Sequence, residues 1–326
     1  MTEPTTASET ILTEQDDTLT KDLAEILRGL SMVQKSLSPK FFYDERGSAL
    51  FDAICELPEY YPTRTELQIM RSRIGEIAAR VGPRASVIEF GSGSSRKTRI
   101  LLEHLDDLAA YVPVDISRDH LLAAAQSIAA DFPAIEILPV AADFTRPFPL
   151  PNPRIEPQRN LVYFPGSTIG NFSLQAAHEL LRVMHQEAGE NGALLIGVDL
   201  KKDPRILERA YNDGAGVTAD FNLNLLSRLN REFGADFDLD RFRHRAIWNA
   251  AAGRIEMHLV SLCEQRVHVG GRAFEFAADE FIVTEYSHKY TLEQFNVMAT
   301  GAGFRVIDAW TDPRKWFSVQ FCLRNE

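Results

Sequence analysis

The residues best suited to chemistry form an ordered series in the first half of the chain. Glu89-Phe90-Gly91-Ser92-Gly93 places an acid and two glycines at the end of a short β-rich run, Ser86 to Phe90. Glycines there let backbone approach a ligand closely, and the helix that follows offers its positive N-terminal end. Asp115 closes a second such run, Tyr111-Val112-Pro113-Val114-Asp115, where a carboxylate can accept both hydroxyls of a ribose. Asp143-Phe144 closes a third, with an acid for an amine edge and a ring for a base. A nicotinamide fingerprint would continue as G-x-G-x-x-G, but Arg96 stands where the third glycine belongs, which argues against a dehydrogenase. Taken singly, an aspartate at a strand end is more often a helix cap. As an ordered set, the acidic first strand, the glycine turn and the two acidic strand ends describe S-adenosylmethionine binding. None of the eight histidines forms a metal spacing: His244, His258, His268 and His288 are scattered without an H-x-H or H-x-x-x-H pair, so no metal is expected.

The elements that must position this series are legible as a change of period. Residues 19 to 81 read as helical, with Leu23, Ile26, Leu27 and Leu30 at helical spacing. Five apolar runs then alternate with helical stretches: Ser86–Phe90, Tyr111–Asp115, Ile135–Val140, Asn160–Phe164 and Ala193–Val198. Continuous rather than alternating hydrophobicity marks strands buried on both faces of a parallel sheet. After Asp199 the rhythm breaks into helices near 203–211 and 221–233 and β-like runs at 254–269, 273–277 and 280–286, as in an inserted lobe. It resumes with a helix at 291–302 and two strands, Arg305–Trp310 and Phe317–Leu323, joined by a short turn, so that the last strand is expected to run antiparallel. The predicted fold is α/β, a class I S-adenosylmethionine-dependent methyltransferase (Rossmann-like) sheet domain with an inserted α+β domain. Its predicted boundaries are a flexible tail over 1–19, a sheet domain over 66–199 and 291–326, and a discontinuous substrate-binding domain over 20–65 and 200–290.

Composition limits the partners. The 326 residues are 45% hydrophobic and 25% charged, ordinary globular usage. Lys plus Arg number 35 against 46 Asp plus Glu, a net charge of −11 that argues against binding nucleic acid or anionic lipid. No apolar run approaches the ~18 residues of a membrane span, and the N-terminus has no signal-peptide pattern. Cys55, Cys263 and Cys322 are odd in number and far apart, so no disulfide framework is suggested. A cytoplasmic, monomeric enzyme acting on a small molecule is the expectation.

Four stretches carry a sharper signal: Lys35-Ser36-Leu37-Ser38-Pro39-Lys40-Phe41-Phe42-Tyr43-Asp44-Glu45-Arg46-Gly47-Ser48, Leu57-Pro58-Glu59-Tyr60-Tyr61-Pro62-Thr63-Arg64-Thr65-Glu66, Phe164-Pro165-Gly166-Ser167-Thr168-Ile169-Gly170-Asn171 and Trp310-Thr311-Asp312-Pro313. In this order they resemble the histidine Nα-methyltransferases of ergothioneine biosynthesis (EgtD family), over about residue 20 to the C-terminus. The resemblance implies trimethylation of the α-amino group of L-histidine to hercynine. The wider family also includes methyltransferases of tryptophan-derived amines, so another amino acid or an indole amine is the alternative substrate. By residue-to-residue match it implies cofactor contacts at Gly91, Lys97, Asp115, Asp143 and Phe144. It implies histidine contacts at Tyr60, Gly166, Asn171, Tyr211, Met257, Glu285 and Ser287, with Tyr43 as an orienting group, Phe51 nearby and no dedicated base.

Each of these has a plainer reading. Tyr43 and Tyr60 can be packing aromatics, Asn171 the cap of the helix near Leu174, Met257 core, and Glu285 a strand carboxylate paired with Lys289 or Arg272. Glu285 and Ser287 stand two apart on a β-like segment, hence on one face, and an imidazole with one N–H and one bare nitrogen suits a carboxylate plus a hydroxyl. A non-catalytic protein that merely binds S-adenosylmethionine is the rival from a different class.

Overall fold

The computed structural model describes residues 7–92 and 96–325. In chain order, α1 (Ala7–Leu30) and α2 (Glu45–Glu56) lead to α3 (Tyr61–Val81). Then follow β1 (Ala85–Phe90), α4 (Arg96–Leu102), β2 (Ala110–Asp115), α5 (Arg118–Asp131), β3 (Val140–Ala141), β4 (Arg159–Phe164), α6 (Leu174–Ala188) and β5 (Ala193–Asp199). Next come α7 (Pro204–Tyr211), α8 (Val217–Phe233), β6 (Phe242–Asn249), β7 (Arg254–Ser261), β8 (Gln265–Val269), β9 (Arg272–Phe276) and β10 (Phe281–His288). The chain closes with α9 (Leu292–Gly301), β11 (Phe304–Thr311) and β12 (Phe317–Arg324).

These elements divide into two compact units. The larger comprises Pro58–Leu207, Asn249–Arg254 and Ser287–Glu326 and contains a seven-stranded sheet in the order β3-β2-β1-β4-β5-β12-β11. β2 pairs in parallel with β1 and β3, and β4 with β1 and β5, whereas β12 runs antiparallel to both β5 and β11. β1 and β5 are buried along their whole length, as continuous apolar runs require. One face packs Leu180, Leu181 and Met184 of α6 and Phe295 of α9; the other packs Ile69, Met70, Ile74 and Ile77 of α3 with Leu101 and Ile128. Successive strands step one way from β1 to β3 and the other way from β4, so the order reverses between β1 and β4. Open α/β sheets bind ligands beyond the carboxyl ends of the strands at such a reversal.

The smaller unit comprises Met1–Leu57, Glu208–Trp248 and Ile255–Tyr286. Its sheet strands lie in the order β10-β7-β6, with a separate β8–β9 antiparallel hairpin. Lys35 to Leu37 runs beside β10 through Val283 N–H to Lys35 O and Leu37 N–H to Val283 O, both 2.9 Å. The α2 face packs on α8 through Phe51 and Phe221, with ring centroids 6.0 Å apart.

Four sequence expectations need correction. The tail expected over 1–19 is helical from Ala7. Nucleation is the costly step of helix formation, and buried Ile26 and Leu30 anchor a turn from which a run free of Pro and Gly propagates. The strand expected at 135–140 is reduced to Val140–Ala141 and a bridge at Ile137, because Pro139 has no N–H for the ladder. β6 was not anticipated: its arginines and histidine break the apolar pattern of an edge strand. The unit boundaries fall at 57/58, 207/208 and 286/287 rather than 65/66, 199/200 and 290/291. The apolar face of α3 belongs to the sheet core, and Lys201 N–H donates to Tyr290 O at 2.9 Å.

Phe321 of β12 is fully buried in the α3-side core. Phe321→Ala is expected to cost about 3–5 kcal/mol of unfolding free energy, read as a lower urea midpoint with an unchanged denaturant slope.

Candidate active site

At the end of β1 the backbone turns through Gly91, whose φ of +71° lies in the left-handed region and whose N–H donates to Val114 O at 2.9 Å. A Cβ at that position would be strained and would stand 3.6 Å from the Phe144 ring. Phe144 itself packs against Phe90 and Phe164, with centroids 5.5 and 6.0 Å away. Ser92 Oγ is buried with no hydrogen-bond partner among the described residues, and Gly93 lies outside them. Asp115 ends β2 and accepts from Ser117 N–H at 2.8 Å; burial raises its carboxyl above the usual range, against the pull of that bond and of His120. Asp143 follows the shortened β3 in a turn closed by Thr145 N–H and Oγ1, at 3.0 and 2.6 Å from its Oδ1.

Glu89, next to last in β1, is buried. Thr98 Oγ1 lies 2.9 Å from both of its oxygens, and Tyr111 donates its hydroxyl to Oε2. Burial pushes its carboxyl up to about 7, the two donated bonds opposing. Lys97 reaches another buried acid, Glu66, at 2.6 Å, and Gly166 N–H donates to the same carboxylate at 3.0 Å. Gly166 has φ +80°, and a Cβ there would stand 3.4 Å from Lys97 Nζ. Gly197 in the middle of β5 makes the room, since a Cβ on it would lie 2.2 Å from Glu66 Oε1. Glu66 thus joins two residues expected at the site, though its own part was not read from the sequence; an acid closing the Tyr60–Glu66 motif was the available signal.

The remaining candidates of the sheet unit are Asn171, Tyr60 and Ser287. Asn171 closes a 3-10 turn, Thr168–Asn171, held by Ser167, whose Oγ accepts from Asp199 N–H at 2.9 Å. It is not the cap of α6: Ser173 is, accepting from Ala176 N–H at 3.2 Å. Tyr60 precedes α3, and its carbonyl accepts from Arg64 at 3.2 Å, which gives that arginine a structural place in the motif. Ser287 Oγ accepts from Lys289 Nζ at 2.8 Å.

In the smaller unit, Tyr43 follows a 3-10 turn and sits edge-on to Phe51 and Phe221, at 5.9 and 6.0 Å. Its hydroxyl is pushed above the usual phenol range, by burial first and by the charge of Glu285 second, with Cys55 and Tyr211 contributing. With 43% of the residue accessible, that desolvation is partial and the carboxylate is the more specific influence. Tyr43, Tyr211 and Glu285 are therefore electrostatic neighbours. Tyr211 ends α7, and its carbonyl accepts from His244 Nε2 at 2.7 Å; His244 Nδ1 faces the Asn222 amide at 2.9 Å, and Asn222 Oδ1 accepts from Thr284 at 2.7 Å. This chain links the backbone at Tyr211 to the residue beside Glu285, and its middle members were not read from the sequence. Met257 is buried on β7. No cluster of His, Cys, Asp or Glu suited to a metal occurs among the described residues, nor any helix long and apolar enough to cross a membrane.

A sheet with this strand order, its seventh strand antiparallel and a glycine turn at the reversal, has the class I S-adenosylmethionine-dependent methyltransferase fold. The sequence model for "Histidine-specific methyltransferase, SAM-dependent" matches residues 22–324, and the chain belongs to that family. It is 44% identical over 306 residues to a histidine N-alpha-methyltransferase of Mycolicibacterium smegmatis, covering 92% of this chain and 94% of that one. It is 42% identical to the Mycobacterium tuberculosis protein of the same name over the same shares. It is 29% identical to ergothioneine biosynthesis protein 1 of Neurospora crassa, covering 85% of this chain and 32% of that longer protein. The methyl donor that the family uses meets a fitting set of groups here: the turn that requires Gly91, the carboxyl of Asp115, the Phe144 ring and the unpartnered Ser92 Oγ.

Because Glu89 has its carboxyl raised from an ordinary 4.5 to about 7, the folded chain holds a proton that the unfolded chain releases between those values. Its contribution to stability is full below about pH 4.5 and is lost as pH rises through about 7. Glu89→Gln is expected to flatten that part of the stability–pH profile, measured by urea unfolding across pH 4 to 8.

Proposed function

We propose that this chain transfers three methyl groups from S-adenosylmethionine to the α-amino nitrogen of L-histidine, giving hercynine in an early step of ergothioneine biosynthesis. We further propose that it works as a cytoplasmic monomer without a metal. The observation that carries the choice of substrate is Glu285, an acid on β10 whose charge reaches Tyr43, which Tyr211 also influences. The similarity to two mycobacterial histidine N-alpha-methyltransferases supports the same reading.

When bound, the cofactor supplies a methyl group on a sulfonium, open to in-line displacement. In the sheet unit, Gly91 lets the backbone approach it, Asp115 accepts its ribose hydroxyls, Asp143 takes the amine edge and Phe144 the ring of its base; Lys97, fixed by Glu66, lies at the Gly166 turn. The proposed histidine contacts are Tyr60, Gly166, Asn171 and Ser287 of the sheet unit and Tyr211, Met257 and Glu285 of the smaller one. The Asn171 amide and the Tyr211 hydroxyl donate to the α-carboxylate, and Glu285 accepts from the imidazole N–H.

The amine must be neutral to attack. Tyr43, whose hydroxyl is held above the ordinary phenol range, stays protonated at neutral pH and orients the amine rather than acting as its base. The proton leaves to water, and positioning contributes ~7–11 kcal/mol of the barrier reduction. The Phe51 and Tyr43 rings face the methylated cation, each contact contributing about 0.5–2 kcal/mol.

Mass spectrometry of the chain incubated with L-histidine and S-adenosylmethionine is expected to show the trimethylated product, and L-tryptophan to give little. Tryptophan turnover with none on histidine would overturn the reading. Glu285→Ala is expected to raise KM for histidine roughly 10- to 100-fold, the value of a charge-assisted hydrogen bond, while leaving cofactor affinity nearly intact. Asp115→Ala is expected to do the reverse, weakening cofactor binding in calorimetry by a similar factor.

A further inference from the structure

Glu66, the last residue of the Tyr60–Glu66 motif, gathers three elements of the sheet unit on one buried carboxylate. It lies on α3 and is 1% exposed. Lys97 of α4 places its ammonium 2.6 Å from Oε2, and Gly166, two residues beyond β4, donates its N–H to the same oxygen at 3.0 Å and to Oε1 at 3.1 Å. β5 is shaped to admit it: a Cβ at Gly197 would lie 2.2 Å from Oε1 and 3.0 Å from the carboxyl carbon. A glycine inside a strand weakens that strand, and a buried ion pair adds little net stability over a well-packed apolar pair. The core gains from neither, yet both are needed to put a carboxylate at this place.

What the carboxylate does fix is position. A lysine ammonium is a point charge on a flexible four-carbon stem, and a charge-assisted hydrogen bond to a buried partner holds it in one place. Gly166 has φ +80°, a conformation open to glycine, and the bond from its N–H to Glu66 sets the turn. A Cβ at Gly166 would stand 3.4 Å from Lys97 Nζ, so the two held groups lie side by side. We propose that Glu66 is a positioning residue for methyl transfer: one carboxylate fixes Lys97 for the cofactor and the Gly166 turn for the methyl acceptor, so that the two contacts are set relative to each other. The proposal rests on Lys97 and Gly166 being those contacts and on L-histidine being the acceptor. The effect of Glu66 on each ligand passes through a different held group.

The test takes the two ligands separately. Glu66→Gln keeps a carbonyl oxygen for the Gly166 N–H and removes the charge that holds Lys97, whereas Glu66→Met removes both. Calorimetry with S-adenosylhomocysteine is expected to show about tenfold weaker binding for Glu66→Gln and for Lys97→Met, and no further loss when the two are combined. In steady-state kinetics Glu66→Met is expected to raise KM for L-histidine about tenfold, with Glu66→Gln within about threefold of wild type. Phe321→Ala, which removes a ring from the α3-side core, is the structural control, expected to lower the melting temperature and leave both constants within about twofold. If Glu66→Met does not fold, Gly197→Ala takes its place, since the added Cβ displaces the carboxylate from both partners. Affinity losses that multiply in the double variant, equal losses in Phe321→Ala, or an unchanged histidine KM in Glu66→Met would show a merely structural carboxylate and overturn the proposal. A wild-type chain that binds S-adenosylhomocysteine and methylates no histidine would overturn the substrate reading and the acceptor half of the proposal, while the cycle on cofactor affinity still decides the other half.

Discussion

A carboxylate taken out of water must be paired, and the sheet unit meets that constraint three times near the carboxyl ends of its strands. Glu89 on β1 is satisfied by Thr98 and Tyr111, Glu66 on α3 by Lys97 and Gly166, and Asp199 on β5 by Lys202, Lys289 and Tyr61. Each pairing ties a strand end to an element distant in sequence, so the loops of the candidate site are held by buried polar groups rather than by their own propensities. Removing the lysine from the Glu66–Lys97 pair would leave an uncompensated buried charge, a penalty of about 3–5 kcal/mol. The arrangement therefore favours precision of position over net stability, and precision is what a displacement reaction with a good leaving group asks of its protein.

The smaller unit solves the same problem with neutral groups. His244 donates from Nε2 to the Tyr211 carbonyl and accepts at Nδ1 from the Asn222 amide, a pairing that fixes one tautomer of a neutral ring. Burial agrees, holding this histidine below its ordinary pKa. Asn222 then passes the constraint to Thr284, so the end of α7 and the strand bearing Glu285 are set by one relay. Phe221 packs Phe42 face-on at 4.4 Å on the same helix, fixing the segment that carries Tyr43.

What the sequence made legible follows from the range of the interactions concerned. The five parallel strands, the antiparallel last strand and the turn at Gly91 are set by local runs and by one backbone conformation, and they could be read. The strand near 135–140 was overread because its apolar residues outvoted Pro139, and β6 was missed because an edge strand tolerates arginines. Site residues identified by motif could be placed, but the groups that hold them could not. Tyr61 and Asp199 are 138 residues apart, Glu66 and Gly166 are 100 apart, and a pattern of period two or 3.6 carries no information about such partners. Lys289 is instructive, since it is buried and engages Asp199, 90 residues earlier in the chain, a contact that no local pattern suggests.

Trimethylation places a further demand on where affinity can reside. The amine loses a hydrogen at each transfer, so any partner that depends on an N–H of that amine weakens step by step and has none to accept at the end. The imidazole and the carboxylate are unchanged throughout. Binding energy placed on them serves all three transfers equally, whereas binding energy placed on the amine would favour one methylation state and stall the others. The division of groups follows this logic. In the proposed site, charge and hydrogen bonds fall to the constant ends, through Glu285, Ser287, Asn171 and Tyr211. In the same proposal the changing end is left to Tyr43 and Phe51, whose rings suit a cation of any methylation state, and the Tyr43 hydroxyl, held above the ordinary phenol range, stays neutral rather than becoming a phenolate that would hold the ammonium as an ion pair.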